Sequence, residues 1–192
     1  MKKKKQTSFI KNNWNFRYKH GGELRKKRKG RFHRPLSTKA PHHVVFKLHK
    51  SKLKHSSLRS SQSFLLSQKI IRKYAKKFFV KIEQLSIQHD HIHMCIRTSR
   101  RSLFFSFFRV VAGQISQQFK KDGLLKSVTD TKKKKTSLWI HRPFSHLIVG
   151  YRAYRNVRNY IQLNEKEVTG TLPYRKERLR GLSQIEWDIL WT

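Results

Sequence analysis

From His42 onward the spacing of apolar residues switches between two periods, and the order of those switches is what most constrains the fold. Val44, Phe46 and Leu48 alternate with polar or smaller neighbours, as in a strand with one buried face. Residues 59–77 carry Phe64, Leu65, Ile70, Ile71 and Tyr74 roughly a turn or two apart, the spacing of an amphipathic helix. The run 78–87 returns to strand spacing, and the parity of its apolar positions slips between Ile82 and Leu85, which predicts a bulge near Glu83 and Gln84. A turn over residues 88–90 leads into a third strand, 91–98. A second helix, 102–121, bears the stripe Phe104, Phe107, Phe108, Val111, Ile115 and Phe119. After a polar loop containing Lys132 to Lys135 come a fourth strand, 145–149, and a helix, 151–164. Strand, helix, strand, strand, helix, strand is the split βαβ order of a ferredoxin-like α+β fold. Both connecting helices then cover one sheet face, and the last helix is free to lay its Tyr160 edge across the other.

Charge narrows the partners. Against 46 lysines and arginines stand ten acidic residues, a formal charge of +36 that repels itself unless a polyanion neutralises it. Nucleic acid is the expected partner. No segment approaches the roughly 18 uninterrupted apolar residues of a spanning helix, so no membrane partner is expected. The N-terminus lacks an apolar signal core, and the single cysteine, Cys95, fits a reducing compartment; a cytoplasmic protein is expected. Residues 1–41 mix basic runs with glycine and show no periodicity, which reads as a basic flexible arm including Arg25 and Arg28. Residues 42–170 form the folded domain, and 171–192 a C-terminal extension.

The residues that carry chemistry sit on two of these elements. In a strand, side chains two apart share a face, so His91 and His93 project together while Ile92, Met94 and Ile96 face the core. In a helix, side chains four apart are neighbours, so Tyr160 and Asn164 share a surface. Cys95 has the parity of the two histidines but lies roughly 13 Å from His91 along the strand, too far to share an ion with it. One cysteine without a paired spacing rules out a thiolate zinc site. The acidic residues show no persuasive spacing for a carboxylate-held metal pair. An RNA-recognition sheet would present aromatics on its central strand, where this one presents His91, His93 and Cys95. Tyr151 and Tyr154 are rival candidates for a nucleophile, but arginines (Arg155, Arg158) stand four positions beyond them where a ligand is wanted, which favours Tyr160.

Taken together, His91-Ile92-His93, Ser99-Arg100-Arg101 with the phenylalanine-rich helix, Trp139 with Arg142-Pro143-Phe144, and Tyr160-Ile161 with Asn164 resemble the REP-associated tyrosine transposases. These are HUH-type single-strand DNA transposases with one catalytic tyrosine, and the resemblance spans residues 34–174. It implies that His91, His93 and Asn164 hold a divalent ion, Mg2+ or Mn2+, and that Tyr160 attacks phosphorus to give a 5′-phosphotyrosine and a free 3′-hydroxyl. It also implies single-stranded or hairpin DNA as partner, a bacterial nucleoid setting, and dimers, since many members act as such. Arg25, Arg28, Arg100, Arg101, Arg142, Arg155 and Arg158 are the expected DNA contacts. Two positions depart from the family pattern: Asp90 stands where asparagine often precedes the first histidine, and no proline follows Asn164.

Overall fold

Alternation in the strands decides which face of the sheet becomes the core. The computed structural model describes residues 20–21, 35–126 and 137–192. Its elements are β1 (His20–Gly21), β2 (His42–Lys47), α1 (Ser61–Lys77), β3 (Val80–Ile87), β4 (His91–Thr98), α2 (Arg101–Lys121), β5 (Phe144–Leu147), α3 (Tyr151–Val168) and α4 (Gln184–Trp191). The sheet order is β1-β5-β2-β4-β3, every pair antiparallel. Without the short edge strand β1, this is the ferredoxin-like arrangement that the order of periods predicts. The expected bulge is present, as a register shift in the β3/β4 ladder between Ile82 and Gln84.

Val44 and Phe46 of β2 and Ile92, Met94 and Ile96 of β4 bury against α1 and α2. All six residues of the predicted α2 stripe are buried, each contributing about 2 kcal/mol of apolar burial before entropy is counted. Helix α1 departs from expectation: Leu65 is 61% exposed, and Ser63, Ser67 and Ala75 join Ile70 and Ile71 on its buried face. The covering helices also reach the loops. Trp139 packs its ring 5.5 Å from Phe46 and donates from Nε1 to the Ala112 carbonyl at 2.9 Å, tying the segment before β5 to α2.

The chain reverses from β5 into α3 through Gly150, whose φ of 89° and ψ of 152° are open to glycine alone. That tight turn sends α3 back across the otherwise open face. There Cys95, Ile148 and Ile161 form a small second core with Ala153, Tyr154 and Val157. Helix α3 runs to Val168, four residues beyond the predicted end. The chain then returns along it, and α4 docks through Leu163, Leu172 and Leu190. A capping box starts α4, with Ser183 and Glu186 exchanging side-chain and backbone hydrogen bonds.

Burial of Cys95, together with the Glu83 carboxylate beside it, pushes its thiol up to about 12. A thiol-directed alkylating reagent should therefore label the native protein about a thousandfold more slowly than the urea-unfolded chain, since only the thiolate reacts. Rapid labelling in the native state would mean that α3 does not cover the sheet.

Candidate active site on the open sheet face

Strand β4 places His91 and His93 side by side on the α3 face, their rings 4.6 Å apart and at right angles. Each has its Nδ1 engaged. His91 Nδ1 lies 2.6 Å from Asp90 Oδ1, and His93 Nδ1 lies 3.0 Å from Nε2 of His43 on the adjacent strand β2. Such outer contacts fix ring orientation and leave Nε2 as the remaining donor. His93 Nε2 is buried and has no hydrogen-bond partner among the described residues. An orphaned imidazole nitrogen beside a second imidazole is the observation that best fits a bound cation, although no group of three or more His, Cys, Asp or Glu could hold one among the described residues. Two imidazoles with oxygen ligands to complete the shell suit manganese, and magnesium less well.

Burial drives the His43 ring down to about 4, helped by the nearby His146 and His91, and the His93 ring down to about 2, helped by His43, His91 and Arg178. Both rings therefore fold neutral, the form that can ligate. In the unfolded chain they take up protons near their ordinary value of 6.5. Their contribution to stability is thus fully present above about 6.5 and lost as pH falls from there, down to about 4 for His43 and on toward about 2 for His93. The unfolding free energy of the metal-free protein should drop across that window by on the order of 1 kcal/mol per ring per pH unit, and its melting temperature should fall with it. A flat profile would mean that the rings are hydrated. Asp90 is pulled both ways: burial pushes its carboxyl up, but the His91 hydrogen bond and charge outweigh that and hold it low.

Helix α3 brings Tyr160 to this pair. Its ring meets His93 edge-on at 5.6 Å and His43 at 6.2 Å. One turn on, Asn164 donates from Nδ2 to the Tyr160 carbonyl at 2.6 Å, while its Oδ1 accepts from Arg178 Nη2 at 2.9 Å. Arg178, held by two bonds to Glu167 at 2.7 and 2.8 Å, also lies over the Tyr160 ring at 5.3 Å. The Asn164 oxygen is therefore engaged, and ligation by it would require exchange with Arg178.

The C-terminal half of α3 is tied to the β3 edge. Glu165 accepts from Arg59 and from Ser86, each at 2.9 Å, and Gln88 donates to the Asn164 carbonyl at 2.8 Å. Nearer its start, α3 meets β3 through the bulge, where Glu83 bonds Arg97 and Tyr154. Among the described residues, Glu83, Glu165, Glu167 and Glu186 each pair with an arginine, and Asp90 bonds His91. In a chain this basic, the scarce carboxylates position α3, the site and the C-terminal segment.

Among the basic residues expected to contact DNA, Arg100, Arg101, Arg142 and Arg155 are exposed, and Arg158 is half-buried. Arg25, Arg28 and the lysine run 132–135 lie outside the described residues. Sequence reading missed His43, Gln88, Glu165 and Arg178. His43 has the outward parity of its strand and could have been found that way. The others act through partners remote in sequence and leave no local signal.

A family model for IS200-like transposases matches residues 37–164, two thirds of the chain, and that span contains His43, His91, His93, Tyr160 and Asn164. The chain belongs to the IS200-like transposase family. A transposase-type DNA function follows, and with it a DNA-processing enzyme. Among solved structures, an IS200-like fold is shared with a REP-associated tyrosine transposase bound to a REP hairpin: 18% identity, 83% of this chain and 91% of that one covered, TM-score 0.55. A candidate transposase from Deinococcus radiodurans R1 is similar at 14% identity over 72% of this chain and 98% of its own, with a TM-score of 0.42 that is too low to bear on the fold. No curated protein matches at a significant level. No helix among the described residues is long and apolar enough to cross a membrane.

Proposed function

We propose that this transposase is a metal-dependent endonuclease and strand transferase that cuts single-stranded DNA beside a hairpin through a 5′-phosphotyrosine intermediate. The observation that carries the reading is the convergence of Tyr160 with His93 at 5.6 Å, across 67 positions of sequence, on a face where a histidine nitrogen has no partner. The REP hairpin bound by the structural neighbour motivates the substrate.

Tyr160 supplies the nucleophile. Its hydroxyl oxygen attacks phosphorus, the 3′ oxygen departs and takes up a proton, and the phosphate remains joined to the tyrosine as a 5′ ester. Attack by a 3′-hydroxyl of a second DNA end reverses the exchange, joins the strands and returns the phenol. A divalent cation, Mg2+ or Mn2+, held by His91, His93 and, after exchange with Arg178, Asn164, would screen the phosphate charge and stabilise the departing oxygen. His43 and Asp90 hold the two imidazoles in the required orientation.

Affinity for the strand comes chiefly from the basic arm, residues 1–41 with Arg25 and Arg28, together with Arg100, Arg101, Arg142, Arg155 and Arg158. Residues 42–170 carry the chemistry and 171–192 extend it. A homodimer and a place beside the chromosome in a bacterial cytoplasm belong to the same reading. The test incubates end-labelled, hairpin-flanked single strands with manganese and resolves the products under denaturing conditions. A DNA-bearing protein band is expected. Its absence on every hairpin substrate would leave a protein that binds DNA without cutting it.

A further inference from the structure

The outer side of α3, away from the sheet, forms one wall of a cleft of about 710 Å3 whose other wall is α4. Tyr151, Arg155 and Arg158 contribute from α3 at positions i, i+4 and i+7, and Trp187 and Trp191 from α4 at i and i+4. Both spacings put the residues of one wall on one helix face. Among the described residues no carboxylate lines the cleft. Tyr151 is 76% exposed and Trp191 46% exposed, so neither ring is needed to fill a core. Leu163, Leu172 and Leu190 do the work of docking α4.

Arg158 is the centre of the cleft. Its guanidinium lies over the Trp191 ring at 5.0 Å and the Tyr154 ring at 5.6 Å, and its Nε is buried with no hydrogen-bond partner among the described residues. Aromatic faces hold this cation in place without neutralising it. The combination of exposed rings, a pre-positioned guanidinium and a second arginine matches a ligand that is flat and aromatic at one end and anionic at the other. An unpaired nucleotide has that chemistry: its base stacks on a ring, and its phosphate meets arginine. The volume suits such a guest.

We infer that the α3/α4 cleft is a stacking subsite for one unpaired nucleotide of the DNA strand, with the base on Trp191 or Tyr151 and its phosphate on Arg155 and Arg158. The inference rests on the single-strand reading above and extends it. Tyr160 follows the cleft residue Asn159 directly, and Arg155 lies about 7.5 Å below Tyr160 along the helix axis. The cleft and Tyr160 face different sides of α3, so a strand cut at Tyr160 reaches the subsite by passing around the helix, and its occupancy then fixes which phosphodiester meets the tyrosine.

Binding of a fluorescein-labelled oligothymidylate and of an abasic strand of equal length, measured without metal, tests the subsite separately from cleavage. Trp191→Ala should weaken the thymidylate about tenfold and leave the abasic strand unchanged, whereas Trp191→Phe should restore most of the loss. Arg155→Gln should weaken both strands alike. An equal loss for both strands in Trp191→Ala, or no loss for either, overturns the subsite; an unchanged melting temperature confirms that the variant folds. Base-dependent binding through Trp191 with no covalent adduct on any substrate would retain the subsite and reject the nuclease, and the converse pattern would do the opposite.

Discussion

Tyr160→Phe is expected to abolish the covalent protein–DNA adduct and to lower strand cleavage on the order of 10^4-fold or more, because the proposed nucleophile itself is removed. Folding and DNA affinity should be retained. The Tyr160 ring contacts with His93, His43 and Arg178 involve carbon faces and edges that phenylalanine reproduces, and its hydroxyl forms no hydrogen bond among the described residues. Tyr154, the nearest rival on the helix, has its hydroxyl bonded to Glu83, where it joins α3 to the β3 bulge. Tyr154→Phe should therefore loosen the helix and leave the adduct in place. If the Tyr160→Phe protein still forms the adduct, the nucleophile has been misassigned.

His93→Ala is expected to remove manganese-dependent cleavage by about 10^3-fold or more, since on the proposed mechanism it removes a ligand that supports several kcal/mol of charge stabilisation. Calorimetric titration of manganese should lose its signal in the same variant, a readout independent of turnover. His91→Ala should behave alike. His43→Ala should show a smaller defect, about 10- to 100-fold in metal affinity, as expected for a residue that orients the His93 ring through its Nδ1. Salt-sensitive DNA binding should persist in all three, because phosphate contacts from arginine and lysine carry that term. Simultaneous loss of metal and DNA binding in a folded variant would instead assign the histidine face to DNA contact.

The histidine pair was legible because it depends on a local rule. Parity along β4 puts His91 and His93 opposite Ile92, Met94 and Ile96, and burial of those three residues leaves no other choice of face. The same rule located the bulge between Ile82 and Gln84, and helical period identified all six buried residues of α2. Helix α1 was read less well. Its polar-to-apolar contrast is spread over Ser63, Ser67 and Ala75, small residues whose burial depends on close approach of a neighbour. Helix α4 was not expected: although a capping box at Ser183 and Glu186 starts it, so short a helix gains its stability from Leu163 and Leu172, which only the fold brings near.

The sequence by itself determined the order of the elements from β2 to α3, the inward faces of β2, β4 and helix α2, and the strong positive charge, because each follows from spacing or counting along the chain; β1 and α4 carried no such period. Tertiary structure alone decided that His43 supports His93, that Arg178 occupies the amide oxygen of Asn164, and that Glu165 and Glu83 fasten α3 above the histidines. Those partners lie 14 to 106 positions apart. At such distances, hydrogen bonds and ion pairs leave no periodic trace in sequence, and only strand register and the helix path set by Gly150 bring them within reach.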